Sequence, residues 1–518
     1  MKRNTTRFLC LLLCLLTAAA VILTGCGGGE ESSSPATSGT GSDGETSGTP
    51  TSIYQDADGK YTLDNLGMPA FDFQEEEFVV CVYNNNVQTT YFSEEIDCSQ
   101  YETSDSVLKD AVTARNDLIE EKYGVKVVAL AVDSVPAAMR DASTTGLTPF
   151  DAAMPFMGDA VSLARDGMMY NLKEFSDYIH FDAPWWDHSA CETLSVDNKL
   201  FFTTGDISIM QKIVSGAILF NKNLYGQYLE DQYGSLYDKV KQNKWTFDLL
   251  YEMTAPLTHN LDDNPAINAD DFFGLSAGNG DAISFYLAGG ENLVLKDAED
   301  MPTVHIGTTE NSVNLAQKII TRIIEPDYAL ISEDYRGQVS NCWEYCLGVF
   351  GQNRSVFRTT AFSAIKKLRN YEGADPFGIV PYPMATEGQE EYCTPCSAIY
   401  AYGICIPYGV KNPDFSAYMI EALSCYAKNL ITPAYYETTL KSRDLSYDDE
   451  SGEMLDDYIF NHVVYDIGVI YNFGGIKTMF DNLMNGKNAN VTSTLEGILP
   501  GVETAIAECV EAYRANAD

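Results

Sequence analysis

Histidine and tryptophan are scarce in this chain, with 5 His and 4 Trp among 518 residues. The histidines (His180, His188, His259, His305 and His462) stand apart, and neither a His-Glu-x-x-His pair nor a Gly-x-Ser-x-Gly elbow occurs. Zinc hydrolysis and serine-hydrolase chemistry therefore have no visible starting point. No phosphate-cradling glycine loop precedes a helix either, because Gly27-Gly28-Gly29 belongs to a low-complexity stretch. Basic charge is short too: 33 Lys and Arg face 74 Asp and Glu, a formal net charge of −41. Nucleic acid and anionic lipid surfaces both require the opposite sign, so neither is expected as a partner. Acid pairs that could serve a glycosidase arise by chance among 74 carboxylates and carry no weight. Beyond the first residues, no apolar run is long enough to span a bilayer.

The exception lies at the start. A basic head (Lys2, Arg3, Arg7) precedes an apolar run from Phe8 to Ala20, and small residues then lead to Cys26. An apolar core this short, with these flanks, reads as a secretory signal rather than a membrane span. Leu23-Thr24-Gly25-Cys26 resembles a bacterial lipobox, which implies removal of residues 1–25 and lipid on Cys26. From Gly27 to Ser52 the chain is nearly all Gly, Ser, Thr, Pro and acid. That composition buries too little surface to offset ordering entropy, so residues 26–53 are expected to act as a flexible tether. The expected location is the extracytoplasmic face of the cell membrane, with lipid as the sole membrane contact.

Of the 13 cysteines, Cys10 and Cys14 fall in the signal, and the rest after Cys26 are too scattered for a small disulfide scaffold. Cys393-Thr-Pro-Cys396 has redox spacing, and Cys342 and Cys346 lie one helical turn apart, yet no second pair stands at zinc-finger spacing. Packing thiols and one local disulfide both stay open. Asn260, Asp262, Asn264, Asn268 and Asp271 fit part of a calcium-loop register, but Pro265 replaces the turn glycine and an aspartate replaces the final glutamate. A polar turn is favoured over a weak calcium site. No cofactor is implied.

The body is 45% hydrophobic and 12% aromatic over the whole sequence, the signature of packed globular structure, and its length suits two large lobes. Phe78 to Tyr83 reads as an apolar strand. Leu108, Ala111, Val112, Leu118 and Ile119 recur at helical spacing, capped by Ser104 or Asp105 and stopped by Gly124. Strand Val125–Val132, helix 136–145, strand 151–156 and helix 159–165 follow. This β-α-β-α-β order with apolar strands predicts a parallel sheet covered on both faces. Ligands of such sheets collect outside the carboxyl ends of the strands, here Tyr83-Asn84-Asn85 and Pro155 to Asp159. Further on, Ala217–Asn221 reads as a strand, Thr246 as a helix cap, and Val313, Ala316, Ile320 and Ile323 as one apolar helical face.

Several motifs appear in order along this body. They are Tyr123-Gly-Val-Lys-Val, Phe150-Asp-Ala-Ala-Met, Gly167-Met-Met-Tyr-Asn-Leu, Trp185-Trp186-Asp187 and Asp197-Asn-Lys-Leu-Phe-Phe. Next come Ile218-Leu-Phe-Asn-Lys-Asn-Leu, Lys244-Trp-Thr-Phe-Asp, Phe273-Gly-Leu and Phe377-Gly-Ile-Val-Pro-Tyr-Pro. Together they resemble the sugar-binding type (family 1) of extracellular solute-binding proteins of bacterial ABC importers. Lysine stands at 244 where that family often has proline. The resemblance implies an α/β, two-lobed periplasmic-binding-protein-like fold with a hinge and an inter-lobe cleft. The expected lobes are 54–208 with 359–408 (N-terminal) and 209–358 with 409–518 (C-terminal). Crossings are expected near Gly205–Lys212, Arg358–Thr360 and Pro407–Pro413.

Sugar recognition needs flat apolar faces for the ring and planar polar groups for hydroxyls. By resemblance, Phe156 is the stacking aromatic and Asp159 the hydroxyl-binding acid. Asn84, Asp206, Asn279, Arg358, Tyr471 and Phe473 complete the expected ligand set. Trp185-Trp186 reads as structural, and Tyr382 as either wall or core. The expected protein is a receptor, performing no chemistry, that binds a small-molecule solute, an oligosaccharide, and delivers it as a monomer to ABC permease subunits. The alternatives are an exported carbohydrate-active enzyme and a receptor for a non-sugar solute such as a peptide.

Overall fold

The computed structural model describes residues 52–73, 76–99, 101, 106–368, 371–436 and 448–516. The expected signal, Cys26 and nearly all of the tether lie outside them, as do Ser104 and Asp105.

Strand β1 (Glu77–Tyr83) buries Phe78, Val80, Cys81 and Val82 completely, which an unbroken apolar run requires. Helix α1 (Ser106–Tyr123) turns Leu108, Val112 and Ile119 inward. Strand β2 (Lys126–Val132) pairs parallel with β1, from Glu77 opposite Lys126 to Tyr83 opposite Val132. Helix α2 (Val135–Thr145) starts at Ser134, whose hydroxyl accepts the Ala137 amide, and ends at Gly146, whose φ of +67° suits glycine. Strand β3 (Ala152–Ala153) pairs with the other edge of β1, giving the order β2-β1-β3. It is shorter than the expected 151–156, since Pro155 has no amide to continue the ladder. Helix α3 (Met157–Arg165) follows.

The second sheet is mixed. Its strands are β4 (Gly216–Asn221), β5 (Phe273–Ala277), β6 (Ala329–Ile331), β7 (Ser355–Ala361) and β8 (Phe377–Val380), in the order β8-β4-β7-β5-β6. Strand β4 is antiparallel to β8 and β7, while β5 is parallel to β7 and β6. Helix α4 (Phe247–Thr254) is capped by Thr246, whose hydroxyl accepts the Leu249 amide at 3.2 Å. A side chain at Gly274 would sit 2.1 Å from the Thr254 carbonyl oxygen, so β5 approaches α4 this closely only through glycine. Helix α5 (Asp281–Ala288) leaves the end of β5.

The chain passes from the first sheet to the second over residues 205–215. After β8 it returns. Ala153 and Cys405 exchange amide-to-carbonyl bonds of 3.0 and 3.1 Å, and Gly403 donates to the Pro155 carbonyl. Helix α6 (Pro413–Tyr435) then packs on α1, with the Tyr123 and Tyr426 hydroxyls 2.9 Å apart. Residues from 448 onward meet the second sheet again, where Ser451 Oγ accepts the Ile379 amide. Helices α7 (Ile467–Tyr471), α8 (Ile476–Asn485) and α9 (Val491–Ala515) finish the chain.

These contacts differ from the expected boundaries. Arg358–Thr360 lies inside β7, paired with β4 throughout and with β5 at Arg358, and β8 belongs to the second sheet, so the return begins after 380 rather than at 359. Pro407–Pro413 leads into a helix that packs chiefly on α1 of the first half, and only its end, from Ala427, joins the cluster beneath the second sheet, so most of 409–435 does not pack as expected. An apolar strand such as Ala217–Asn221 announces itself in sequence, but its neighbours do not. Among the described residues, no helix is long and apolar enough to cross a membrane.

Asp206 fastens the first passage to α6. Its buried carboxylate accepts from Lys212 at 3.2 Å, Lys428 at 3.0 Å and Thr432 at 2.6 Å. Burial opposes its ionisation, but the two ammonium groups and the hydroxyl outweigh that and hold the carboxyl below the usual range. A depressed native pKa contributes stability above the unfolded pKa and loses it as pH falls through the native value. Asp206→Ala should lower the unfolding free energy by about 3–5 kcal/mol at pH 7, because two cations lose their partner. In urea titrations the gap to wild type should narrow only below about pH 4.

Candidate ligand cleft

Two adjoining cavities, of about 680 and about 620 Å³, open between the sheets and share Asp281, Thr360, Ile399, Tyr400 and Lys477 in their walls. Each is of the size that holds a small organic ligand.

The first cavity has an aromatic wall. Phe156 ends the β3 segment and stacks on Tyr83 (4.2 Å between centroids, 16° between planes) and on Tyr402 (5.3 Å, 21°). Tyr400 meets Phe156 edge-on at 5.7 Å and stacks on Tyr91 at 3.9 Å. Asp159, in the first turn of α3, accepts from the Tyr83 hydroxyl at 3.2 Å and stays exposed at the cavity edge. The second half contributes Asp281 and Ser284 from the start of α5, Thr360 from the end of β7, and Tyr382. Asp281 accepts from Tyr382 Oη at 2.8 Å, the Gly278 amide at 2.6 Å and Thr359 Oγ1 at 2.5 Å. Burial, then the Asp281 charge, push the Tyr382 hydroxyl well above its ordinary pKa, so it remains a donor. Gly216 is required beneath it, since a Cβ there would lie 2.8 Å from the Tyr382 ring. The third side comes from α7 and α8 through Tyr471, Asn472 and Lys477.

The second cavity is more polar. Asn279 is 4% exposed, donates from Nδ2 to Asn485 Oδ1 at 2.7 Å, and leaves Oδ1 without a partner. Arg358 is 6% exposed and donates to Ser276 Oγ at 2.7 Å and the Trp343 carbonyl at 3.5 Å, while its Nε has no partner. Burial lowers the Arg358 pKa. Trp343, half exposed, donates to Glu333 at 2.9 Å.

Of the residues expected from sequence, Phe156, Asp159 and Tyr471 line the first cavity, and Asn279 and Arg358 the second. The other three line neither. Asn84 sits at the end of β1, but its amide donates to Asp133 at 2.6 Å; Asp206 is the ion-pair centre described above. Phe473 is buried against Tyr471, 5.2 Å between centroids. Tyr471 itself is tied down, donating to the Leu194 carbonyl at 2.7 Å with its oxygen 2.8 Å from Tyr513 Oη. Sequence reasoning left out Tyr400, Asp281 and Trp343, and left Tyr382 undecided.

Three other features settle into packing or local turns. Trp185 and Trp186 are core residues, with Trp186 Nε1 donating to buried Glu421 at 2.7 Å. In 260–271 the side-chain oxygens of Asn260, Asp262 and Asn264 accept backbone amides two residues on, and Asp271 accepts the Leu261 and Asn268 amides. Cys393 and Cys396 are unpaired thiols, the second buried beside the first cavity.

No family model and no curated protein matches the sequence. Solved structures do. A cyclo/maltodextrin-binding protein complexed with maltotetraose is similar over 86% of this chain and 98% of its own, at 12% identity and a TM-score of 0.51. The chain adopts the two-lobed solute-binding-protein fold. The same fold is seen in the maltose-binding periplasmic protein MalE of Listeria monocytogenes, in complex with maltose (13% identity, 85% and 99% covered, TM-score 0.50). UgpB of Mycobacterium tuberculosis, in complex with glycerophosphocholine, shares it too (13% identity, 83% and 98% covered, TM-score 0.50). In this solute-binding fold the two sheets are the cores of the two lobes, and the cavities lie between them.

Tyr382→Phe should leave the Asp281 carboxylate one donor short and cost about 1–3 kcal/mol of stability. Differential scanning calorimetry of the variant against wild type measures it.

Proposed function

We propose that this chain is an extracytoplasmic solute receptor that takes a carbohydrate, an oligosaccharide, into its inter-lobe cleft. It delivers the sugar to the permease subunits of an ABC transporter, acting as a monomer held at the membrane by lipid on Cys26. The observation that carries this reading is the aromatic wall of Phe156 and Tyr400, which shares a cleft with Asp159, Asp281, Tyr382 and Asn472. Aromatic faces suit the C–H side of a sugar ring, and carboxylates and amides at the edge suit its hydroxyls. That maltotetraose and maltose occupy two proteins of the same fold favours a sugar here. In this role the protein performs no chemistry. The lipid tether would raise the receptor's concentration at the permease toward the millimolar range, on the order of that for a short flexible linker.

A thermal-shift screen against oligosaccharides, amino acids and peptides tests the reading. A bound ligand at about 100 times its Kd adds about 2.7 kcal/mol, so one saccharide series should raise Tm clearly, with no product formed on prolonged incubation. A response to peptides alone, or breakdown of the glycan, would contradict it. Tyr400→Ala should weaken the responding sugar by about 1–2 kcal/mol, roughly ten- to thirtyfold in Kd by isothermal titration, through loss of one stacking face.

A further inference from the structure

The second cavity holds an unmet demand of a particular kind. Arg358 stands on β7 opposite Ser276 of β5, and Asn279 follows three residues further along the same chain, so both side chains reach the cavity from one corner of the second sheet. Each is more than nine-tenths buried, and each leaves one polar atom unpartnered, Nε of Arg358 and Oδ1 of Asn279. One is an obligate donor carrying positive charge. The other is an acceptor.

The charges around them do not meet that demand. Asp281 is occupied by three donors. Glu333 accepts from the Asn279 amide at 2.8 Å and from Trp343 Nε1 at 2.9 Å. Glu344 pairs with Lys367 at 3.4 Å, and Asp481 with Lys477 at 2.5 Å. Among the described residues, no carboxylate pairs with Arg358, whose bonds go to a hydroxyl and a carbonyl. None pairs with Arg336, whose guanidinium carbon lies 5.6 Å from the Trp343 ring centre at the cavity rim. No carboxylate therefore touches either arginine, although Asp281 and Glu333, which accept only from uncharged donors, stand in the same wall. A buried charge without a counterion in contact is costly, and an arginine fork matches a carboxylate or a sulfate.

We propose that this half of the cleft receives an acidic sugar, a residue carrying a carboxylate or sulfate whose charge meets Arg358 and Arg336 and whose neighbouring hydroxyl donates to Asn279 Oδ1. The inference rests on the carbohydrate-receptor reading above and narrows it. A uronate supplies acceptor oxygens and a donor hydroxyl on one ring. A bare phosphate ion, mainly an acceptor at neutral pH, meets only the first need. The aromatic wall of the adjoining cavity then takes the next ring.

Isothermal titration of the purified protein with matched pairs, galactobiose against digalacturonate and a neutral against a sulfated disaccharide, tests this, with inorganic phosphate as the free-anion arm. Charge-assisted hydrogen bonds predict that an acidic member binds about ten- to a hundredfold more tightly than its neutral twin. That advantage should shrink with added salt. It should fall in Arg358→Gln and, independently of any effect on the core, in the exposed-site variant Arg336→Gln. The readout in both variants is the ratio of acidic to neutral binding, which a general loss of the site would leave unchanged. Equal or tighter binding of the neutral sugars would overturn the acid preference and leave the receptor reading standing. Binding of no saccharide in either class would overturn both, and phosphate binding more tightly than any acidic sugar would replace a sugar by a phosphate ligand.

Discussion

One stretch of chain, residues 394–407, belongs to both halves of the molecule, and the cleft depends on it. At its start, Cys396 bridges Ser215 beside the second sheet, and the Ser397 amide donates to the Val214 carbonyl. At its end, Cys405 exchanges hydrogen bonds with Ala153, and Tyr402 bridges Phe156. Backbone groups this buried must be paired, so both attachments are fixed by hydrogen-bond satisfaction as much as by packing. Between them the chain carries Tyr400 into the shared wall of the two cavities. The first passage, 205–215, runs alongside and is anchored by Asp206, so two strands of backbone join the halves close together. Paired connections of that kind permit rotation of one half against the other about a short axis, the geometry of hinge closure.

The polar lining then follows from topology. Each sheet must cover its apolar faces with helices, which leaves the strand ends and helix starts as the places where polar groups can face a common space. Asp159 stands in the first turn of α3, Asp281 in the first turn of α5, and Thr360 near the end of β7. The carboxylates gain from the adjacent amides of the helix starts. The lining is consequently asymmetric, with the Phe156 and Tyr400 rings supplied by the first half and the return segment, and most fixed hydrogen-bond partners by the second.

Much of the first half could be read from residues alone. Apolar runs and the spacing between them mark β1, β2, α2 and α3 within a residue or two, and the strand-end rule points to Phe156 and Asp159. The same rule points to Asn84, which instead satisfies its amide locally with Asp133. What the sequence does not carry is pairing. Ala217–Asn221 reads as a strand, yet its place between β8 and β7 is a long-range fact. The return at 394–407 is built mostly of isolated bridges, without the periodicity that marks a strand. For that reason Tyr400 escaped notice in a chain with 32 tyrosines, although it stands on the wall of both cavities. Asp206 misled in the opposite direction, since an acid in a crossing segment looks like a ligand group until its two lysines are seen.

The central claim is that solute lies between the two halves and touches both. Hydrogen–deuterium exchange of the protein with and without its responding sugar tests this most directly. The account predicts slowed exchange together at 156–160 and 397–402 on one side and at 279–284 and 470–478 on the other. Protection confined to one side, or appearing away from these segments, would contradict it.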